Sequence, residues 1–141
     1  MDETKSLFEH LKNRLPTGFG LGDDGTEIVD GVPNHKVMQQ SIREDHEGDV
    51  GIFDVKTSQQ RLAMGLLCWN SVIQIAVVTN NGDINGAIEY LLKGLENFKK
   101  DRKSTGITVS DVSLTSIMGI GKNSNGFQMA AMTFVIEYSI K

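Results

Sequence analysis

Leu7, Phe8, Leu11 and Leu15 recur at helical spacing, with acids before them and bases after. This predicts a short amphipathic helix over 3–14 that ends before Pro16. The stretch 16–34 is dense in Gly and Asp. Short strands are expected at Thr26–Val29 and at Lys36–Ile42, where Val37, Gln39 and Ser41 alternate imperfectly with Met38, Gln40 and Ile42. Residues 43–51, REDHEGDVG, read as an exposed acidic loop. A further short strand follows over 52–55, and 57–61 turns polar again.

The pattern is clearer beyond residue 70. Ser71–Thr79, SVIQIAVVT, is apolar or β-branched at nearly every position, as in a strand covered on both faces. Asn80-Asn81-Gly82 breaks it, and Asp83 is a good N-cap. Ile84, Ala87, Ile88, Leu91, Leu92, Leu95 and Phe98 then form one stripe, which predicts a long helix over 83–102. Lys99, Lys100, Arg102 and Lys103 crowd its C-terminal end, where cations suit the helix dipole. Gly86 and Gly94 weaken it by roughly 1 kcal/mol each, which suggests close packing on a sheet. Ile107–Leu114 reads as a strand and Gly119–Gly126 as a loop. Phe127–Ile140 is a long last strand with its even positions apolar. The expected fold is one α+β domain over 1–141, with the N-terminal helix and the long helix packed on a mainly antiparallel sheet.

The length of 141 residues suits one domain with its own core. The single cysteine, Cys68, cannot form an internal disulfide and reads as a buried thiol in a reducing compartment. No apolar run approaches the roughly 18 residues of a membrane span, and the polar N-terminus does not resemble a signal peptide. The net charge of −4 is unevenly spread. Residues 23–54 hold nine acids and two bases, whereas 55–141 hold nine bases and six acids. Oppositely charged regions suit head-to-tail contact between copies.

Candidate chemistry is sparse. Gly20, Gly22 and Gly25 spell G-x-G-x-x-G, with Glu44 and Asp45 at the distance of a dinucleotide fingerprint. A helix and Pro16 precede the motif, Gly31 and Pro33 follow it, and Asp23 and Asp24 would face a phosphate. The strand and helix that a pyrophosphate site needs are therefore missing from the pattern. The run DDGTE lacks the alternating ligands of a calcium loop. His10, His35 and His46 lie on separate elements without metal spacing. The Lys99–Lys103 cluster lacks the interleaved aromatics of a nucleic-acid patch. The expectation is no catalytic residue, no cofactor and no metal.

The order from Ser71 onward carries a resemblance. A strand containing Val72-Ile73-Gln74-Ile75 leads through NNGD into the helix INGAIEYLLKGLENF. Then come the strand ITVSDVSL, a Gly-containing loop and a closing strand with Phe134-Val135-Ile136-Glu137-Tyr138. Over 71–141 this resembles the tail terminator, or tail completion, proteins of long-tailed bacteriophages, often labelled minor capsid proteins. The loop Gly119–Gly126 departs from that family's pattern by lacking an acidic G-x-D signature. The resemblance implies a structural virion protein, made in the host cytoplasm and placed in the virion tail. It implies a ring, commonly hexameric, that caps the tail tube, ends its polymerisation and offers a surface for head joining. The implied partners are further copies, the tail tube protein, a head completion or neck protein, and DNA sliding through the lumen without specific binding; no membrane is involved. Glu44, Asp45, Glu47, Asp49 and Asp54 are the candidate lumen- or partner-facing acidic loop, and Lys99, Lys100, Arg102 and Lys103 the candidate contacts. A head–neck connector, a small ligand-binding enzyme domain using the Gly-rich segment, and an RNA-binding α+β domain are the alternatives.

Overall fold

The computed structural model describes residues 3–16, 28–29, 32–33, 37–43, 48–61, 67–79, 84–104, 106–121 and 126–140. The elements in chain order are α1 (Glu3–Lys12), β1 (Ile28–Val29), β2 (Val32–Pro33), β3 (Val37–Gln39), β4 (Val50–Arg61), β5 (Leu67–Thr79), α2 (Ile84–Lys100), β6 (Lys103–Ser104), β7 (Ile107–Ile120) and β8 (Gln128–Ile140). β1 and β2 pair by themselves. The other strands form one six-stranded sheet in the order β3-β4-β5-β8-β7-β6.

Two helices and this sheet make the fold α+β, as the pattern predicts, but two parts of the expectation need correction. The sheet is mixed and not mainly antiparallel. β3 runs parallel to β4, with Val37 opposite Val50 and Gln39 opposite Ile52, while the remaining neighbours are antiparallel. The reason is the ten-residue connection from β3 to β4, which carries the chain back to the same end of the sheet and cannot be a tight hairpin. The helix arrangement also differs. α1 is fastened to the C-terminal end of α2 as well as packed over the sheet. Leu15 and Pro16 lie against Gly94 of α2, and the Asn97 side-chain amide donates to the Arg14 carbonyl at 3.0 Å.

The long strands explain why alternation misled in places. On β5 and β8 the period of two is unbroken. Ile73, Ile75 and Val77 of β5 stand opposite Phe134, Met132 and Ala130 on the face that the helices cover. On β4 and β7 the register shifts, at Val55 on β4 and at Ser110 and Thr115 on β7. Each extra residue transfers the helix-facing side chains from one parity to the other. β4 therefore continues through the polar 57–61, past the short strand expected over 52–55, and β7 runs six residues past Leu114. The ladder needs backbone groups and not apolar side chains, so solvent-facing stretches remain strand.

The core lies between the helices and this face. Leu7 and Leu11 of α1, Leu91, Leu95 and Phe98 of α2, and Ile52, Ile75, Phe134 and Ile136 of the sheet belong to one buried cluster. The Phe98 and Phe134 rings pack with centroids 5.5 Å apart. The grouping of Leu91, Leu95, Ile75 and Phe134 follows the helix stripe and the β8 alternation. Gly119 of β7 lets Ile84 approach, since a Cβ there would stand 3.0 Å from the Ile84 Cγ2 atom.

Candidate functional site: two open edges of one sheet

The sheet's outer strands are short and cover little. β3 pairs only with Val50–Ile52, and β6 only with Ile107 and Thr108. Beyond β3, the Gln40 side-chain amide donates to the Asp54 carbonyl and accepts from the Asp54 N–H, which extends the cover by one position. Gln40 holds a left-handed backbone with φ 59° to do so, and its own N–H donates to the Ile52 carbonyl at 2.8 Å. Such a φ is unfavourable for a residue with a Cβ, so these bonds must hold it there. Beyond β6, Val109 N–H donates to the Arg102 carbonyl at 2.7 Å, and the Arg102 guanidinium donates to the Ser110 carbonyl at 2.8 Å. Past these points, among the described residues, no strand pairs with the outer edge of β4 from Val55 to Arg61 or of β7 from Asp111 to Ile120.

The two edges differ in chemistry. On β4, Val55 is 62% exposed at the bulge, followed by exposed Lys56 and Ser58. A groove of about 240 Å³ lies there, lined by Gln39, Gln40, Asp54, Val55, Lys56 and Thr57. On β7, Asp111, Ser113 and Thr115 are exposed, together with Leu114, Met118 and Ile120. Leu92 of α2 is exposed as well. Bulges and a lysine on an edge discourage indiscriminate strand pairing. A partner must match both the kink and the charge.

Behind the β4 edge lies a chain of hydroxyls. The Thr57 hydroxyl donates to Asp54 Oδ2, Ser71 Oγ lies 2.9 Å from Thr57 Oγ1, and Tyr138 OH lies 3.1 Å from Ser71 Oγ. Since Thr57 gives its single proton to the carboxylate, Ser71 donates to Thr57 and Tyr138 donates to Ser71. This order fixes β4, β5 and β8 to one another across the sheet. Asp54 Oδ1 is buried without a partner among the described residues, beside a cavity of about 10 Å³ lined in part by Leu7, Leu11, Gln40 and Ile73. That space suits at most one water. The hydroxyls are committed to each other, so the arrangement is a structural brace.

The acidic candidates separate. Glu44, Asp45 and Glu47 lie outside the described residues, as do the Gly18–Gly25 motif, the DDGTE run, Asp83, His35 and His46. Asp49 and Asp54 correct the expectation of an exposed loop. Asp49 is fully buried and held bidentately by Arg43, with Nε 2.7 Å from Oδ2 and Nη2 2.8 Å from Oδ1. Its carbonyl accepts from Val78 N–H, and Gly48 N–H donates to the Val78 carbonyl. Desolvation alone would expel such a carboxylate, but a matching guanidinium reverses the outcome. Asp54 is half-buried within β4. Sequence proximity suggested one solvated group, whereas Arg43 supplied the missing counter-charge.

The basic candidates stay exposed at the end of α2 and on β6. Lys100 pairs with Glu96 at 2.8 Å and holds that carboxyl below its usual range. Arg102 spans the Lys99 and Ser110 carbonyls, so it joins the helix end to β7. Cys68 is buried, as expected. His10 is buried at 1% exposure, with Nδ1 2.9 Å from Ser104 Oγ, and burial beside Arg14 lowers its pKa to about 4. Among the described residues no group of His, Cys, Asp and Glu could hold a metal ion. Gln40, Lys56 and Asp111 at the edges were missed from sequence. The only available signal was the broken alternation around residues 55 and 110, which marks bulges. No family model and no curated protein matches this chain.

Proposed function

We propose that this chain is a structural subunit that assembles head to tail into a closed ring, in the role of a phage tail terminator. The carrying observation is one sheet whose two long strands β4 and β7, among the described residues, have no strand against Val55–Arg61 and Asp111–Ile120 and carry different chemistry along these spans. Unlike edges favour a heterologous contact, which repeats around a ring when the rotation closes. Ring closure also removes the exposed edges that a single copy would leave as aggregation sites. The resemblance over 71–141 supplies the biological role: a ring that ends the tail tube and accepts the head.

The test is electron microscopy of the chain alone and with a phage tail tube protein. Annular particles and tubes of uniform length, each carrying a terminal cap, are the expected result. A chain that stays monomeric at high concentration and leaves tubes uncapped and of uncontrolled length would overturn this role.

A further inference from the structure

The internal register of the sheet indicates which edges meet, and how. β4, β5, β8 and β7 alternate in direction, so β4 and β7 run opposite ways. A neighbour generated by rotation about an axis along the strands lays its β4 antiparallel to β7. That is the same ladder type the central strands already use.

The levels also match. Ser113 pairs with Val135, Val135 with Val72, and Val72 with Lys56, so Ser113 stands level with Lys56. By the same route through Glu137 and Asn70, Asp111 stands level with Ser58. Leu114, through Phe134 and Ile73, stands level with Asp54 and hence with the groove at Val55. The uncovered parts of the two strands therefore share the levels of Val55–Ser58 on β4 and Asp111–Leu114 on β7, an overlap of about four residues, or roughly 13 Å.

Charge selects the pair as well. The Glu137 and Val72 side chains lie on the sheet face away from the helices, so Asp111 and Lys56 share that face. Placed side by side, Asp111 and Lys56 of adjacent copies are diagonal neighbours on one face, within reach of a long side chain.

We infer that copies of this chain join by antiparallel pairing of the β7 edge of one with the β4 edge of the next, with Asp111 beside Lys56 and Leu114 over the Val55 groove. This pairing rests on the ring reading and names its contact. The Arg102 and Gln40 bonds at the ends of the free spans act as stops that fix the register.

Cross-linking of the full chain tests it. Two proteins are made in a Cys68→Ala background, one with Lys56→Cys and one with Ser113→Cys; both added positions are exposed. Level residues on paired strands bring their Cβ atoms to about 4.5–5.5 Å, close enough for a disulfide after small adjustment. Oxidation of either protein alone should give no cross-link, their mixture a dimer, and one chain carrying both cysteines a ladder of species. Charge reversal adds a second readout. Asp111→Lys or Lys56→Asp alone should each lower the assembled fraction at least tenfold, and the double variant should restore it. A cross-linked Ser113→Cys homodimer would overturn the proposal in favour of a two-fold β7 contact. Rings that persist without any mixed cross-link would overturn this pairing while leaving the ring reading intact. Loss of rings from the unmodified chain would instead strike the ring reading itself.

Discussion

At the scale of single residues, two buried ionisable groups govern how the fold tolerates change. Arg43 holds Asp49 in a site where no solvent reaches the carboxylate. Replacing Arg43 with Met leaves that charge buried, and a loss of about 3 kcal/mol is expected in urea unfolding. Replacing both residues with apolar ones should recover much of that loss. His10 works through pH. Its folded pKa of about 4 lies below the unfolded 6.5, because burial and the Arg14 guanidinium disfavour the imidazolium, with Asp101 partly opposing them. Above pH 6.5 the ring is neutral in both states and its site is fully stable. Between 6.5 and 4 the unfolded chain takes up the proton first, so stability falls, by up to about 3 kcal/mol, and levels off below pH 4. Unfolding midpoints measured across this window should show that slope, and His10→Gln should flatten it.

At the scale of elements, glycine positions and the helix stripe give contrasting expectations. A Cβ at Gly51 would stand 2.7 Å from the Ser41 carbonyl oxygen and within 2.6 Å of the Phe53 ring, both inside normal contact. Gly51→Ala should therefore cost about 1–3 kcal/mol through a forced shift of backbone. At Gly94 the nearest atoms are Leu15 Cδ2 at 3.4 Å and Pro16 Cδ at 3.5 Å, which is ordinary contact. Gly94→Ala should raise the melting temperature, because helix propensity improves by up to about 1 kcal/mol. The close packing on a sheet expected for Gly94 is not what the structure has there: its neighbours are Leu15 and Pro16, with room for a methyl group. On the same buried side of the helix, Leu91→Ala removes a fully buried side chain and should cost about 2–5 kcal/mol. The α2 stripe was legible because helical periodicity survives intact over four turns. β4 and β7 were not fully legible because each bulge reverses the parity on which a strand is recognised.

At the scale of the whole molecule, the assembly should respond to salt in a specific way. Contacts between the charged edges lose attraction as ionic strength rises, since screening shortens to about 3 Å at 1 M. The apolar contact of Leu114 with the Val55 groove is not screened in this way. Sedimentation should therefore show assembly weakening between about 0.05 and 0.5 M salt and then holding a plateau. Leu114→Asp should lower that plateau while leaving monomer folding intact, because the side chain is exposed. The free edges could not be read from the sequence. Whether a strand lies inside or outside a sheet depends on partners far away in the chain, and β6, two residues long, is too short to announce itself.

The amino-acid sequence by itself determined the α2 stripe, the buried β5 and β8 strands, the burial of Cys68 and the α+β class. Each of these follows from a local period or from one residue's transfer preference, which neighbours in sequence already encode. Only the tertiary structure decided that β3 runs parallel to β4, that Asp49 lies inside against Arg43, and that, among the described residues, the sheet ends in two unlike open edges. These depend on pairings between residues that the chain brings together from many positions apart. The energy of such a pairing exists only once the backbone places both partners, so no local pattern records it.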